Sequence, residues 1–478
     1  MKNFFRKVSF GIGPNENVPS DPLQWAKEQL NDVPQFSWKG KKIYTEKELR
    51  KFYGEYIYGD RKILRKKYKD DKHAYKIEKD KLRHKTGQKY WQNLELCIRH
   101  TEALKSKTPV HAKLWYFWGN HFAISDKDFL ARYSTGAYQR ETIRANMNQN
   151  FEKMVYEGTV AWAMIHHLDN QENIGPKSES AKEEWRRREK EPATINENHA
   201  RELLELHTVS PNSGYTQEDI VQLAYIMTGW RPIRDKKKLE TANIFFSRKH
   251  HQPGKKVVMG KKYKSGKKSL SVVIRDLVNH PSCRNFIATK LCRYLITDYP
   301  TKDMIVPIVK AWEKSDGFLP EIHKAAVEVA FNYSDKYQKF QNPENWLLQM
   351  SKMCDINLIP GTKLMESYEL GYKPSGYQRS LERLLKELGH HPYLAKQPNG
   401  WSDYSEDWMS PELMIRRLIF AKQGYFKMKP SNQNNDFYEK MIRKNFDNPN
   451  EILKFLKKKN QPEDRHILLF NLPEALKA

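Results

Sequence analysis

The chain has 478 residues, 38% of them hydrophobic and 12% aromatic, which is enough for a large core and too aromatic for a disordered chain. Its 84 Lys and Arg against 58 Asp and Glu leave a net charge of +26, a balance that attracts nucleic acid, anionic lipid or acidic polysaccharide. No apolar run approaches the roughly 20 residues that cross a bilayer.

Pro14, Pro19 and Pro22 punctuate an opening segment, and Trp25 to Leu30 then reads as a helix. The apolar stretch from Val8 to Gly13 is too short for a signal sequence and Pro14 ends it, so a cytoplasmic location is expected. Cys97, Cys283, Cys292 and Cys354 show neither CxxC nor metal-ligand spacing, which fits a reducing compartment. Thr45 and Glu48 form a capping box. Residues 60–90 are dominated by Lys and Arg with sparse apolar positions, the pattern of an exposed basic helical arm. Thr108-Pro109 opens a helix on which Leu114, Trp115, Trp118 and Phe122 recur at helical spacing, predicting one buried face. A long helix is expected from Arg140 to Leu168, then a charged linker from Pro176 to Pro192. Thr194 with Glu197 and Thr216 with Asp219 repeat the capping signal and open helices to about Val209 and Met227.

Prolines and glycines break the helical period over 231–268, where Phe245-Phe246 and Val257-Val258-Met259 read as short strands. Helical patterning resumes at Leu270 and recurs near 281–297, 303–313, 320–331 and 343–353, and Ser410-Pro411 starts a further helix. The expected architecture is mainly α, with a small β-hairpin-like insertion at about 243–268. Residues 1–425 read as one large helical domain carrying the basic arm, and 426–478 as a helical tail packed on it.

The densest polar cluster runs from Asn196 to Thr208. At about 100° per residue, Asn198, Glu202 and Glu205 share a helix face with Arg201 at its edge, a face that suits acid–base work or a cation. Glu197, Arg201 and Glu205 are also spaced i, i+4, i+8, which makes an ordinary surface ladder. His207 falls among apolar residues, as a core histidine does. Asn120 and His121 end the aromatic helix, and a buried histidine at a helix C-terminus can be a poised acid–base group. Asp169, in Leu168-Asp169-Asn170, is placed either to cap a turn or to face a cleft. His251, Gly254 and Lys256 open a run with two more Gly-Lys-Lys triplets at Gly260 and Gly266, able to cradle an anion or simply to form a basic hairpin. The spacing is not that of a phosphate-binding Walker loop. No metal site and no cofactor is readable.

In this order the motifs resemble the bacterial domain of unknown function 1800 family. The resemblance rests on Phe10-Gly11-Ile12-Gly13-Pro14, on Asn120-His121-Phe122, on Leu168-Asp169-Asn170, and on Asn196-Glu197-Asn198 through Glu205-Leu206. It continues through Thr228-Gly229-Trp230, His251 to Gly260 and Pro398-Asn399-Gly400-Trp401, and covers almost the whole chain. Gln252 stands where the family usually has Asp, and His199 where it often has an aromatic residue. Membership implies no assigned activity. It implies relatives that often look exported and that sit beside an alkaline-phosphatase-like partner protein.

Three functions follow as expectations. One is an enzyme acting on an anionic or sugar-like substrate, with Glu202 and Glu205 as acid–base or cation-holding groups. His121 would carry protons, Asp169 orient, and Lys256 clamp the anion, with Asn198, Arg201, His251, Gly254 and Asn120 in binding roles. The second is a non-catalytic module for a polyanion such as polysaccharide or nucleic acid. The third is a helper for the alkaline-phosphatase-like partner.

Overall fold

The computed structural model describes residues 2–478 apart from 36–37, 39–41, 86–87, 128, 189–194, 234–242 and 359–380. Helices dominate, and the strands among the described residues form two antiparallel pairs. The mainly α architecture read from the helical period is therefore the observed one. The β content is split, however. β1 (Trp230–Pro232) pairs with β2 (Ile244–Phe246), and β3 (Lys256–Val258) with β4 (Lys261–Tyr263). β1 lies outside the expected 243–268 because Pro232 argues against a strand. It is tolerated at the strand's last position in a two-stranded ribbon, where Trp230 packs edge-on against Phe246 with centroids 5.5 Å apart.

Local signals set many helix ends. Thr45 and Thr216 make complete capping boxes with Glu48 and Asp219. Pro109, Pro281, Pro343 and Pro411 each stand in the first turn of a helix, where a missing N–H costs nothing. Thr194, expected as a cap, lies outside the described residues. The helix expected over 140–168 is broken into a π turn (Gln139–Ile143), a 3-10 turn (Arg144–Asn146) and two helices, Phe151–Val160 and Trp162–His167. The last break is at Ala161, whose backbone is extended (φ −60°, ψ 142°). The basic arm is likewise divided, into Arg61–Lys67 and Lys72–Lys85.

The Pro109–His121 helix is buried along every residue but Asn120, not on one face as expected. It runs through the centre, against the Gln88–Lys105 helix, the Lys2–Val8 helix and the turns over 139–146. Trp115 and Trp118 on it, with Trp312 and Trp346, are fully buried in one apolar cluster that extends from Phe4 to Leu476. No helix among the described residues is long and apolar enough to cross a membrane.

Candidate functional site

The C-terminal end of the central helix brings together segments far apart in sequence. The Asn120 side-chain amide donates to the Trp401 carbonyl at 2.8 Å, and its oxygen accepts from the Trp401 N–H at 2.8 Å. Gly400 makes this approach possible. Its φ is +76°, and a Cβ there would lie 2.5 Å from the Asn120 carbonyl oxygen. Gly400→Ala should therefore cost about 2 kcal/mol or more in chemical denaturation, from backbone strain and displacement of the loop. An unchanged midpoint would show that the loop is not held this way.

His121 is buried. Its Nδ1 lies 3.2 Å from Lys290 Nζ, and its Nε2 lies 3.3 Å from the His207 carbonyl oxygen. An ammonium only donates and a carbonyl only accepts, so the ring is the neutral tautomer with its proton on Nε2. Burial first, then Lys290 and His207, hold its pKa well below the ordinary histidine value. Lys290, on the Pro281–Leu295 helix, is itself lowered by burial, while Asp403 opposes that shift. Asp403 is raised by burial and pulled back by Lys290, Lys339 and Arg293. Lys290 thus bonds a neutral imidazole and lies in the field of the Asp403 carboxyl.

Asp403 and Asn120 line a narrow cleft with Arg99, Glu344, His390 and Trp401. About 20 Å³ is open to the centre of a water molecule, the room of one water. Glu344 forms its floor: Arg99 donates to both carboxylate oxygens, at 3.1 and 3.2 Å, and His100 Nε2 lies 3.1 Å away. Burial raises the Glu344 carboxyl, but Arg99 and the hydrogen bond from His100 outweigh it and leave the pKa well below the usual range. Glu344 is therefore an anchored anion, whereas burial disfavours charge on both Lys290 and Asp403 and keeps His121 neutral.

Of the residues singled out in the sequence, Asn120 lines this cleft, and the next residue, His121, bonds Lys290, whose charge acts on the cleft residue Asp403. The Asn196–His207 segment reaches the same region only through His207. Arg201 bridges Glu197 and Glu205 at 3.3 and 3.2 Å, and its side chain is 39% exposed. Glu205 also accepts from the Tyr215 hydroxyl at 2.7 Å. Leu203–His207 is a π turn, which rotates the following residues away from the ideal helical face. Glu202 is half-buried, its pKa raised by burial and by Glu205, while Asn198 is exposed. Asp169 takes the left-handed conformation and pairs with Lys127 at 2.5 Å.

His251 Nδ1 donates to the Thr228 carbonyl at 2.9 Å, and Nε2 accepts from the Gly266 N–H at 3.0 Å, which clips the two β ribbons together. Lys256 is buried, its ammonium bonded to the Gln252 carbonyl and, at 3.2 Å, to Ser265. It points into the ribbon and not at solvent. Gly254 is exposed at φ +84°. Gln252 accepts from the Lys177 N–H at 2.9 Å. Among the described residues no group of three or more His, Cys, Asp or Glu is placed to hold a metal ion.

Sequence reasoning passed over Lys290, Asp403, Arg99, Glu344 and His390. A single lysine in a lysine-rich chain carries no signal, and Glu344 reads as an ordinary acidic residue in a first helical turn.

The chain matches the family described as protein of unknown function (DUF1800) over residues 3–475, and it belongs to that family. No curated protein and no solved structure matches it.

Proposed function

We propose that the protein is a proton-transferring enzyme acting on an anionic or sugar-like substrate at the cleft beneath residues 397–403. The carrying observation is Lys290 Nζ 3.2 Å from Nδ1 of the buried His121, with Asp403 on the cleft wall. In this reading neutral Lys290 accepts a proton from a substrate hydroxyl or a water, His121 steadies the amine, and Asp403 orients the donor. Arg293 and Lys339 add the positive field that an anionic substrate needs. Glu202 and Glu205 serve as outer carboxylates of the helix that ends at His207. Substrate entry requires the loop held by Asn120 to lift. Competitive amine acetylation across pH tests the assignment. Lys290 is expected to reach half-maximal reactivity at a lower pH than a free lysine side chain, as its burial directs, and sugar phosphates to raise the melting temperature of wild type but not of Lys290→Met. Titration of Lys290 at the pH of a free lysine side chain would sink the proposal.

A second reading, polyanion binding, is supported by the β3–β4 ribbon. Lys255, Lys261, Lys262, Lys264, Lys267 and Lys268 are all exposed there within 14 residues. Retention on heparin should fall steeply with salt, and Lys262→Glu with Lys264→Glu should elute at clearly lower salt. Elution of that double variant with wild type would place the binding elsewhere or remove it.

A further inference from the structure

We propose that the groove between residues 12–16 and the Asn435–Asn445 helix binds a small organic anion: a carboxylate, sulfonate or phosphate monoester on a compact apolar body. The groove encloses about 380 Å³, within the range of about 300–1,000 Å³ typical of small-molecule sites. Phe437, Lys440, Met441 and Lys444 line it from one helix at spacing i, i+3, i+4, i+7, so a single face presents both apolar surface and positive charge. Ile12 completes the apolar floor, and Lys429 and Asp355 stand at the rim as an ion pair at 2.5 Å.

The wall is fixed in advance. Asn445 holds the Ile12 peptide at both ends, accepting from its N–H at 2.7 Å and donating to its carbonyl at 3.0 Å. The Lys444 ammonium bonds the carbonyls of Gly13, Pro14 and Glu16 at 3.3, 2.8 and 2.7 Å. Lys444 is thus committed to the wall, and exposed Lys440 is the cation left to meet a ligand. A bare phosphate would leave the Ile12–Phe437–Met441 floor unused, and a neutral apolar molecule would leave Lys440 without a counter-charge. The ligand that satisfies both carries one acidic group on an apolar body, and the preformed wall lowers the ordering cost of binding it.

The probe is 1-anilinonaphthalene-8-sulfonate, titrated by fluorescence at pH 7 and moderate salt. Wild type should show one saturable site per chain. Lys440→Glu should weaken it at least tenfold and Phe437→Ser about fivefold, while Lys262→Glu, which does not line the groove, leaves it unchanged. Lys440 is exposed, so that variant alone decides the matter if Phe437→Ser fails to fold. The proposal is overturned by wild-type affinity in Lys440→Glu, by an equal loss in Lys262→Glu, or by the absence of a saturable site.

Discussion

Arg99→Met is expected to lower the unfolding free energy by about 3–5 kcal/mol, because it strands a carboxylate in the core. The side chains of Arg99 and Glu344 are each 3% exposed, and the guanidinium lies 3.4 Å from the centre of the Tyr116 ring, so stacking is lost as well. The variant should also change the response to acid. Glu344 has a depressed pKa in the folded state, so its contribution is complete above the unfolded value of about 4.5 and is lost as pH falls below it. Without Arg99 that acid-dependent loss shrinks. Urea unfolding at pH 7 and between pH 5 and pH 3.5 checks both points. Joint replacement of Arg99 and Glu344 by apolar residues should recover part of the loss, since no charge is then left unpaired. A single variant that unfolds at the wild-type midpoint would mean that the pair contributes little.

Stability should rise between pH 7 and pH 8.5, by up to about 2 kcal/mol for each of two lysines. Burial lowers Lys7 and Lys113 from 10.5 to about 7. Above that value the folded state has shed protons that the unfolded chain still binds, so raising the pH favours folding. Lys7 donates to a main-chain oxygen of the last residue, Ala478, at 2.7 Å, and Lys113 lies 4.9 Å from the centre of the Phe10 ring. Lys113 bears no ion pair among the described residues and is the cleaner of the two. Lys113→Met should flatten the slope by its share. A wild-type stability that is flat or falling over this interval would show both ammonium groups to be better solvated than their burial implies. The window stops at pH 8.5 because the buried thiols, raised to about 12 at Cys97 and Cys292, work in the opposite direction once unfolded thiols ionise.

The helix starts were legible because they are local. A Thr side chain three residues from a Glu or Asp, or a proline in a first turn, acts through backbone groups within one turn. The aromatic spacing of the central helix was legible as well, but its complete burial was not, since that depends on how other helices and turns pack around it. The break at Ala161 had no local signal either, because alanine is a good helix former and only packing imposes its extended backbone.

The candidate site divides in the same way. Asn120 and His121 stood out as polar residues ending an apolar helix, whereas their partners come from residues 207, 290 and 401. The Glu197–Arg201–Glu205 ladder forms as its i, i+4, i+8 spacing suggests, whereas the face of Asn198, Glu202 and Glu205 read from 100° periodicity runs into the π-helical residues 203–207, whose register depends on a hydrogen-bond pattern that periodicity does not encode. Lys256 shows the limit most clearly. As a lysine between glycines it reads as an exposed anion ligand, yet its ammonium is taken up by the Gln252 carbonyl inside the ribbon. Sequence alone determined the family, the helical class and the helix starts, since these rest on residue identity and short-range spacing. Only the tertiary structure decided which charges are buried and paired, because desolvation and Coulomb energy depend on distances between segments that the order of residues leaves open.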